Sequence, residues 1–429
     1  MITVEALKGA ITERITAYNE QDLPFAKRAN ETRDLLASHN HILATDIASP
    51  FDVPRQNLSA MDGYGIAKGS SLEQGTSIDI VGESQAGAPF SGKLQPGQGV
   101  RIFTGAVVPS DCDTVVMQEN TNFADIKDNI DKSQIYPIEL TKTAKPDSNI
   151  RKQGEEIELG EVVLAKGKRI TPADISLLAN LGLAQVEVYK PLTVGILATG
   201  DELVDVGEPL QTLAQIYNSN TPTLKSMFAH LPVVIQDYGI IPDHLEMTKK
   251  AVRSAMQECD VVISTAGVSV GDYDFLTTVI EELGQINHYK VAMKPGKPFV
   301  FGELTEGLEV PALYFGLPGN PLSSVVGSLQ FIIPALWRLS GITEADIPQP
   351  LTLTASLAND VRKSPGRADF QRGIVSQNTQ GEYVVSTAGK QDSHRIKQLS
   401  LANCLIVLPK DSGSLVAGDK VKVQPFSWS

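Results

Sequence analysis

Residues 260–275, DVVISTAGVSVGDYDF, restrict the fold of this chain more than any other stretch. Val261, Val262 and Ile263 form a β-branched apolar run that suits a strand buried on both faces. Ser264, Thr265, Ala266, Gly267, Ser269 and Gly271 follow, then Asp272 and Asp274 ahead of an amphipathic run over 276–283. Strand, small-residue loop and helix start, in that order, set free backbone N–H groups at the carboxyl end of a parallel strand. A helix N-terminus at such a place favours an anion. The two carboxylates would repel a bare phosphate but suit a Mg²⁺ that neutralises one. On this stretch alone, an ordinary βα turn with capping acids accounts for the residues equally well.

The neighbouring sequence continues the alternation. Strand-like runs at 192–198, 233–238, 286–293, 299–302 and 312–315 alternate with helical runs at 222–230 and 243–259 and one beginning at Pro321. This pattern predicts a mostly parallel α/β sheet with helices on both faces. Ligands of such sheets sit outside the carboxyl ends of the strands, which gathers 199–202, 265–274, 294–298 and 318–321 at one edge. Asp243 and Glu246 read as a capping-box-like pair at the start of a helix. In KVAMKPGKP (290–298), Pro295 and Pro298 stiffen the loop that carries Lys294 and Lys297, and Lys290 precedes them. Rigidly held ammonium groups suit an oxyanion; a solubilising surface turn is the plainer reading. GLPGNP (316–321) places Asn320 as N-cap and Pro321 at N1 of the last helix, a geometry that capping alone would explain.

Elsewhere the texture changes. Val4, Leu7, Ile11 and Ile15 have helical spacing, and a second helix is expected over 31–43. Residues 48–145 read as a small β domain. Within it, Asp62 lies in SAMDGYGI (59–66), as a ligand or merely as an Asx-turn residue, and Thr104 lies beside a glycine in FTGAV (103–107). Residues 122–145 read as hairpin and linker, and the mixed charges of 149–160 as a solvated turn. Thr171, Pro172 and Asp174 start a helix that Gly182 ends. Strand-like runs at 351–355, 369–375, 383–387, 404–408 and 420–423 indicate a small β-barrel or sandwich. It carries Arg367 in SPGR (364–367) and Ser393 in QDSH (391–394), both of which also fit plain turns.

A chain of 429 residues is too long for one ordinary domain, and roughly three is the expectation from length. The net charge of −13 argues against a general nucleic-acid binder, so positive charge for any anionic ligand must be local. The three scattered cysteines indicate neither a zinc site nor a disulfide framework. No basic leader precedes an apolar core, and no apolar run reaches ~18 residues. The longest candidate, at 329–339, is interrupted by Pro334 and Arg338. The expectation is a soluble cytoplasmic protein with no membrane or nucleic-acid partner.

Taken together, MDGYG (61–65), RIFTGA (101–106), ATGDEL (198–203), STAGVSVGDYD (264–274), KPGKP (294–298), GLPGNP (316–321) and SPGRADFQRG (364–373) resemble one family across nearly the whole chain. It is the molybdopterin molybdenumtransferases, MoeA in bacteria, with the C-terminal domain of gephyrin as animal relative. The departures are mild: Gly65 stands where alanine is more frequent, Ala266 where glycine is, Glu156 where aspartate is, and GDYD where GEAD is. The resemblance implies a multidomain α/β-plus-β homodimer. Its parts would be an N-terminal helix (1–28) on the α/β domain, a linker region (29–47 and 146–184), a small β domain (48–145), an α/β molybdopterin-binding domain (185–345) and a C-terminal β domain (346–429). The implied reaction inserts molybdate into adenylylated molybdopterin with release of AMP, assisted by Mg²⁺. Under this reading Asp274, Glu202 and Asp243 hold the metal–pyrophosphate end. Gly267, Ser269, Gly271, Lys290, Lys294, Lys297, Pro318 and Pro321 line the cofactor site, and Arg367 and Ser393 reach the oxyanion. Asp62 and Thr104 act from the partner subunit. Transient contacts with the adenylyltransferase and with molybdoenzyme maturation proteins are implied too. The competing readings are an adenylyltransferase-like enzyme, a non-catalytic molybdopterin carrier or scaffold, and a paralogue handling tungstate.

Overall fold

The computed structural model describes residues 1–20, 29–266 and 275–428. The chain divides into two units, one of Met1–Thr45, Lys166–Ser176 and Ala184–Ser429, the other of Asp46–Ala165 and Leu177–Leu183. In the first unit, α1 (Val4–Glu20) turns Val4, Leu7, Ile11 and Ile15 into the core, each at most 3% exposed. Its outer side chains hold it in place: Arg14 pairs with buried Glu303, and Lys8 Nζ donates to Gln330 Oε1 at 2.8 Å.

The helix expected over 31–43 does not form. Asn30–Asp34 is a strand antiparallel to Gln185–Tyr189, followed by a single 3₁₀ turn at Leu36–Ser38. Thr32, Asp34, Ser38 and Asn40 are weak helix formers, and Asn40 adopts φ 66°, a conformation that ends a helix. The anticipated start at 171 does form: Thr171 N and Oγ1 both donate to Asp174 Oδ2, at 2.8 and 2.6 Å.

The second unit is built on a five-stranded sheet. Its strands are β1 (Gly63–Ala67), β2 (Ser77–Ser84), β3 (Gln98–Ile102), β4 (Cys112–Met117) and β5 (Tyr136–Glu139), in the order β4-β1-β3-β2-β5. Tyr64, Ile66, Ile78, Ile80 and Ile138 fill one side. The hairpin expected within 122–145 is instead one helical turn, Phe123–Ile126, followed by β5.

Returning to the first unit, the α/β region comprises β6 (Leu192–Thr199), α2 (Asn220–Phe228), β7 (Val233–Ile241), α3 (Leu245–Glu258), β8 (Val261–Thr265), α4 (Phe275–Leu283), β9 (Gly284–Lys290), β10 (Pro298–Leu304) and β11 (Ala312–Leu317). The sheet order is β7-β6-β8-β11-β10-β9; the first four are mutually parallel, and β10 and β9 add antiparallel at one edge. Val194, Ile196, Val261, Ile263 and Phe315 are wholly buried on one face with α1 and α2, and Val262 and Tyr314 on the other with α3 and α4. Burying each such side chain contributes about 1.5–3 kcal/mol.

After β11, α5 (Pro321–Gly327) continues through a π-helical turn, Ser328–Ile332, into α6 (Ile333–Leu339). Pro334 lacks an N–H and its ring crowds the preceding turn, so widening that turn absorbs the misfit. The whole run, Pro321–Leu339, is 19 residues and apolar enough to cross a membrane, despite the interruptions noted at Pro334 and Arg338. It is 78% buried against the protein, as a core helix is.

The C-terminal region is a closed barrel of β12 (Leu353–Leu357), β13 (Ala368–Gln377), β14 (Tyr383–Thr387), β15 (Cys404–Leu408) and β16 (Lys420–Pro425). The ring β13-β14-β12-β16-β15 closes because β13 pairs with both β14 and β15. The start of β13 also pairs in parallel with Met293–Lys294 of the α/β region, Met293 opposite Ala368 and Lys294 opposite Asp369.

At the end of β8 the chain leaves the sheet through Ala266, whose N–H donates to Leu317 O at 2.9 Å and whose φ is +88°. A Cβ is strained there, which explains physically why glycine suits the position. Ala266→Gly is expected to stabilise the protein by about 0.5 kcal/mol, since relief of left-handed strain exceeds the entropy glycine adds to the unfolded chain. Chemical denaturation of the two proteins measures this as a raised midpoint with an unchanged slope.

Candidate functional site

The four parallel strands end together at Thr199, Ile241, Thr265 and Leu317. In the register Thr199 lies opposite Ile241, and Thr265 opposite Leu317 and Ala198. Asp201 and Asp243, each two residues past a paired strand end, therefore meet. Asp243 N donates to Asp201 Oδ1 at 3.0 Å, and Asp201 N to Asp243 Oδ2 at 3.4 Å. This reciprocal lock corrects the capping-box reading. α3 begins at Leu245, its N-cap His244 makes no side-chain cap, and the Asp243 carboxylate is turned to the neighbouring loop. Within ATGDEL nothing local distinguishes Asp201, because only the strand register reveals its partner.

Glu202 lies on the same loop, with its carboxylate folded back over Gly200. Gly200 has φ +140°, a conformation that favours glycine, whereas the Glu202 carboxylate that a Cβ would meet is the end of an exposed side chain and could move aside. Both Asp243 and Glu202 are exposed. Asp274, Gly267, Ser269 and Gly271 lie outside the described residues.

On the β11 side, Asn320 caps α5 as anticipated. Its Oδ1 accepts from Leu322 N at 3.1 Å and Ser323 N at 3.3 Å, with Pro321 in the first turn. The cap thus uses these two N–H groups itself. Pro318 is buried, and its carbonyl accepts from Ser324 Oγ at 2.7 Å. Asn220, which opens α2, donates from Nδ2 to Gly319 O at 2.9 Å. Its Oδ1 and the Thr265 hydroxyl are buried with no hydrogen-bond partner among the described residues. Two orphaned polar atoms at the strand ends fit an edge that receives a polar ligand.

Lys290 ends β9, Lys294 lies in the short strand paired to the barrel, and Lys297 lies in the loop between them and β10. All three are exposed, and none forms an ion pair among the described residues. Val291 N donates to Lys297 O at 2.7 Å, and Gly296 (φ +90°) closes the turn. Because Lys294 pairs with Asp369, the loop bearing Arg367 is held next to the lysine loop.

Ser393 follows a loop that buried Arg372 shapes: Arg372 Nη1 donates to Gln391 O, and Nη2 to Lys390 O and Asp392 O. Neither Arg372 nor buried Lys363 was distinguishable in the sequence from the many surface cations.

Asp62 and Thr104 belong to the second unit, where they are directly bonded. Thr104 N and Oγ1 each donate to Asp62 Oδ1 at 2.8 Å. These two donors, the backbone one foremost, hold the carboxyl below the ordinary aspartate range.

Residues 2–182 match the MoeA N-terminal region (domain I and II), 195–338 the probable molybdopterin binding domain and 354–426 the MoeA C-terminal region (domain IV). A molybdopterin molybdenumtransferase of Haemophilus influenzae is 40% identical over 407 residues, spanning 95% of this chain and 96% of its own. One from Nostoc sp. is 33% identical over 404 residues, spanning 93% and 89%. The crystal structure of the molybdopterin biosynthesis MoeA protein from Pyrococcus horikosii aligns with a TM-score of 0.77 at 25% identity, over 100% of this chain and 99% of that one. The chain belongs to the MoeA family of molybdopterin molybdenumtransferases.

Proposed function

We propose that this protein inserts molybdate into adenylylated molybdopterin and releases AMP, forming molybdenum cofactor. The observation that carries the reading is the ladder between Met293–Lys294 and the start of β13, which brings the lysine loop and the Arg367 loop together in an acidic chain. Fixed cations from two sides suit a tetrahedral dianion. The orphaned Asn220 Oδ1 and Thr265 hydroxyl suit a ligand with many hydrogen-bonding atoms, as a pterin phosphate is.

In this assignment Lys290, Lys294 and Lys297 bind phosphate or molybdate, and Arg367 and Ser393 orient the molybdate. Gly267, Ser269, Gly271, Pro318 and Pro321 line the pterin-phosphate side. Glu202 and Asp243, with Asp274, would hold Mg²⁺, which when bound polarises the pyrophosphate. The residue types fit the ion. Among the described residues no three metal-ligating side chains cluster, and a magnesium ion ordinarily takes one or two protein carboxylates and completes its shell from water and substrate phosphate. Asp62, presented as a carboxylate by Thr104, orients a water or the metal from the partner subunit of a homodimer. The adenylyltransferase and maturation proteins would meet the enzyme transiently, at substrate delivery and product release.

Purified protein mixed with adenylylated molybdopterin, Mg²⁺ and molybdate is expected to release AMP and to reconstitute a molybdenum-dependent apo-enzyme. Binding without AMP release would mark a carrier instead. Asp274→Asn should unfold at the wild-type temperature yet form no cofactor; near-normal turnover would remove Asp274 from the site. Thr104→Val takes away one of the two donors to Asp62. A carboxyl-carbon NMR titration, with the signal assigned through Asp62→Asn, should show the Asp62 midpoint rising toward the ordinary aspartate value. In the wild type the stabilisation from this pair is present above the ordinary aspartate pKa and fades as pH falls through the depressed one.

A further inference from the structure

Two cations lie buried in the C-terminal region, Lys363 at 8% exposure and Arg372 at 1%. A buried charge persists only where its lost hydration is replaced. Neither side chain has a carboxylate within ion-pair distance among the described residues. Backbone carbonyls solvate the Lys363 ammonium and the two terminal nitrogens of Arg372, whose Nε has no partner among the described residues. Lys363 Nζ donates to Ser412 O at 2.8 Å, Lys410 O at 3.2 Å and Ser364 O at 3.4 Å. Arg372 donates to Lys390 O and Asp392 O at 3.1 Å and to Gln391 O at 3.3 Å.

The carbonyls belong to particular loops. The Lys363 cup gathers Ser364, at the head of the SPGR turn, and the 410–412 turn, while Gly366 N bonds Lys410 O at 2.9 Å. Arg367 is the next residue. The Arg372 cup is made of the three residues immediately before Ser393. Gln391 clamps it further: its Oε1 accepts from Arg372 N at 2.8 Å, and its Nε2 donates to Arg372 O at 3.1 Å. An apolar side chain in either place would strip the donor from two carbonyls of each cup, Ser364 O and Ser412 O or Lys390 O and Gln391 O, while Lys410 O and Asp392 O keep bonds from Gly366 N and Arg395 N, and the loop would rearrange.

We propose that Lys363 and Arg372 are positioning residues of the molybdate site, each holding a carbonyl-lined loop so that Arg367 and Ser393 are set for the dianion. The inference rests on the molybdate role given above to Arg367 and Ser393. Neither cation touches the ligand; each acts through the shape of a loop.

The test uses the full-length protein and two separate ligands, molybdate and adenylylated molybdopterin, with Kd for each, KM for molybdate and kcat. Lys363→Met and Arg372→Met are expected to weaken molybdate binding about tenfold or more, as loss of an outer supporting group does. The affinity for adenylylated molybdopterin should be unchanged, and saturating molybdate should restore much of kcat. Arg372→Lys, which keeps the charge, should recover part of the loss. Where Arg372→Met fails to fold, Gln391→Met loosens the same loop while leaving the guanidinium in place, and it too should raise KM for molybdate selectively. A folded set with unchanged molybdate affinity, or with both affinities falling together, overturns the proposal. Arg367→Ala separates the two levels. If it binds molybdate normally, the underlying assignment of the anion site fails. If it loses affinity while Lys363→Met, Arg372→Met and Gln391→Met do not, the positioning inference alone fails.

Discussion

Parallel pairing of four apolar strands is the constraint on which the α/β region depends. β6 and β8 have neighbours on both edges and helices on both faces, and Val194, Ile196, Val261, Val262 and Ile263 are wholly buried. A strand buried on both faces cannot slip in register without moving apolar side chains out of fitted positions. Register therefore fixes where each strand ends, and so where the polar chain emerges. The candidate site occupies the line along which four apolar runs stop: Gly200, Pro242, Ala266 and Pro318 follow the last strand residues. The mutual bonds of Asp201 and Asp243 are a consequence of Thr199 lying opposite Ile241. Those bonds are exposed and contribute little stability. What they add is order in two loops that the sheet has already brought together.

The barrel adds a second tie of a different kind. Only two residue pairs join Met293–Lys294 to β13 in the ladder. They matter because β13 is also the strand that closes the barrel, bonded to β14 and to β15. A strand committed on both edges is rigid, so the lysine loop that leans on its first residues is held by the whole barrel. Arg367 immediately precedes β13 and Arg372 lies within it, which makes this strand the common support of the lysine loop, the Arg367 loop and, through Arg372, the loop before Ser393.

Much of this was legible in the sequence because it rests on local periodicity. The runs 383–387 and 404–408 are strands with those ends, Asn320 caps with its side chain, and the alternation of strands and helices gives the sheet with helices on both faces. The failures share a cause. Leu35, Leu36, Ile42 and Leu43 have a helix-compatible spacing, but Asn30–Asp34 finds a partner strand far along the chain at Gln185–Tyr189, and no local pattern announces that pairing. Asp243 followed by Glu246 satisfies a local capping pattern, yet the register with β6 turns the aspartate to Asp201. The strand-end rule placed the loops of the site at one edge. Which side chains within those loops bond one another, and that Lys363 and Arg372 point inward to carbonyls, depends on tertiary folding that spacing does not encode.

The charge distribution supports the same edge as an anion site. The chain carries −13 overall, and several partly exposed cations are matched by acids, as with Lys249 and Glu282, Arg253 and Glu306, or Arg395 and Asp392. Such surface pairs are worth at most about 1 kcal/mol, so leaving a lysine unpaired costs the fold little. Lys290, Lys294 and Lys297 are all left so among the described residues, at a single strand end beside Arg367. A dianion arriving there displaces no protein carboxylate and finds donors on loops already anchored. Affinity can then come from the fixed placement of the loops, because little loop freedom remains to be lost on binding and only the lysine side chains have still to be ordered. For an acidic protein that must hold an oxyanion, concentrating unmatched lysines on one braced loop is more economical than raising its charge throughout.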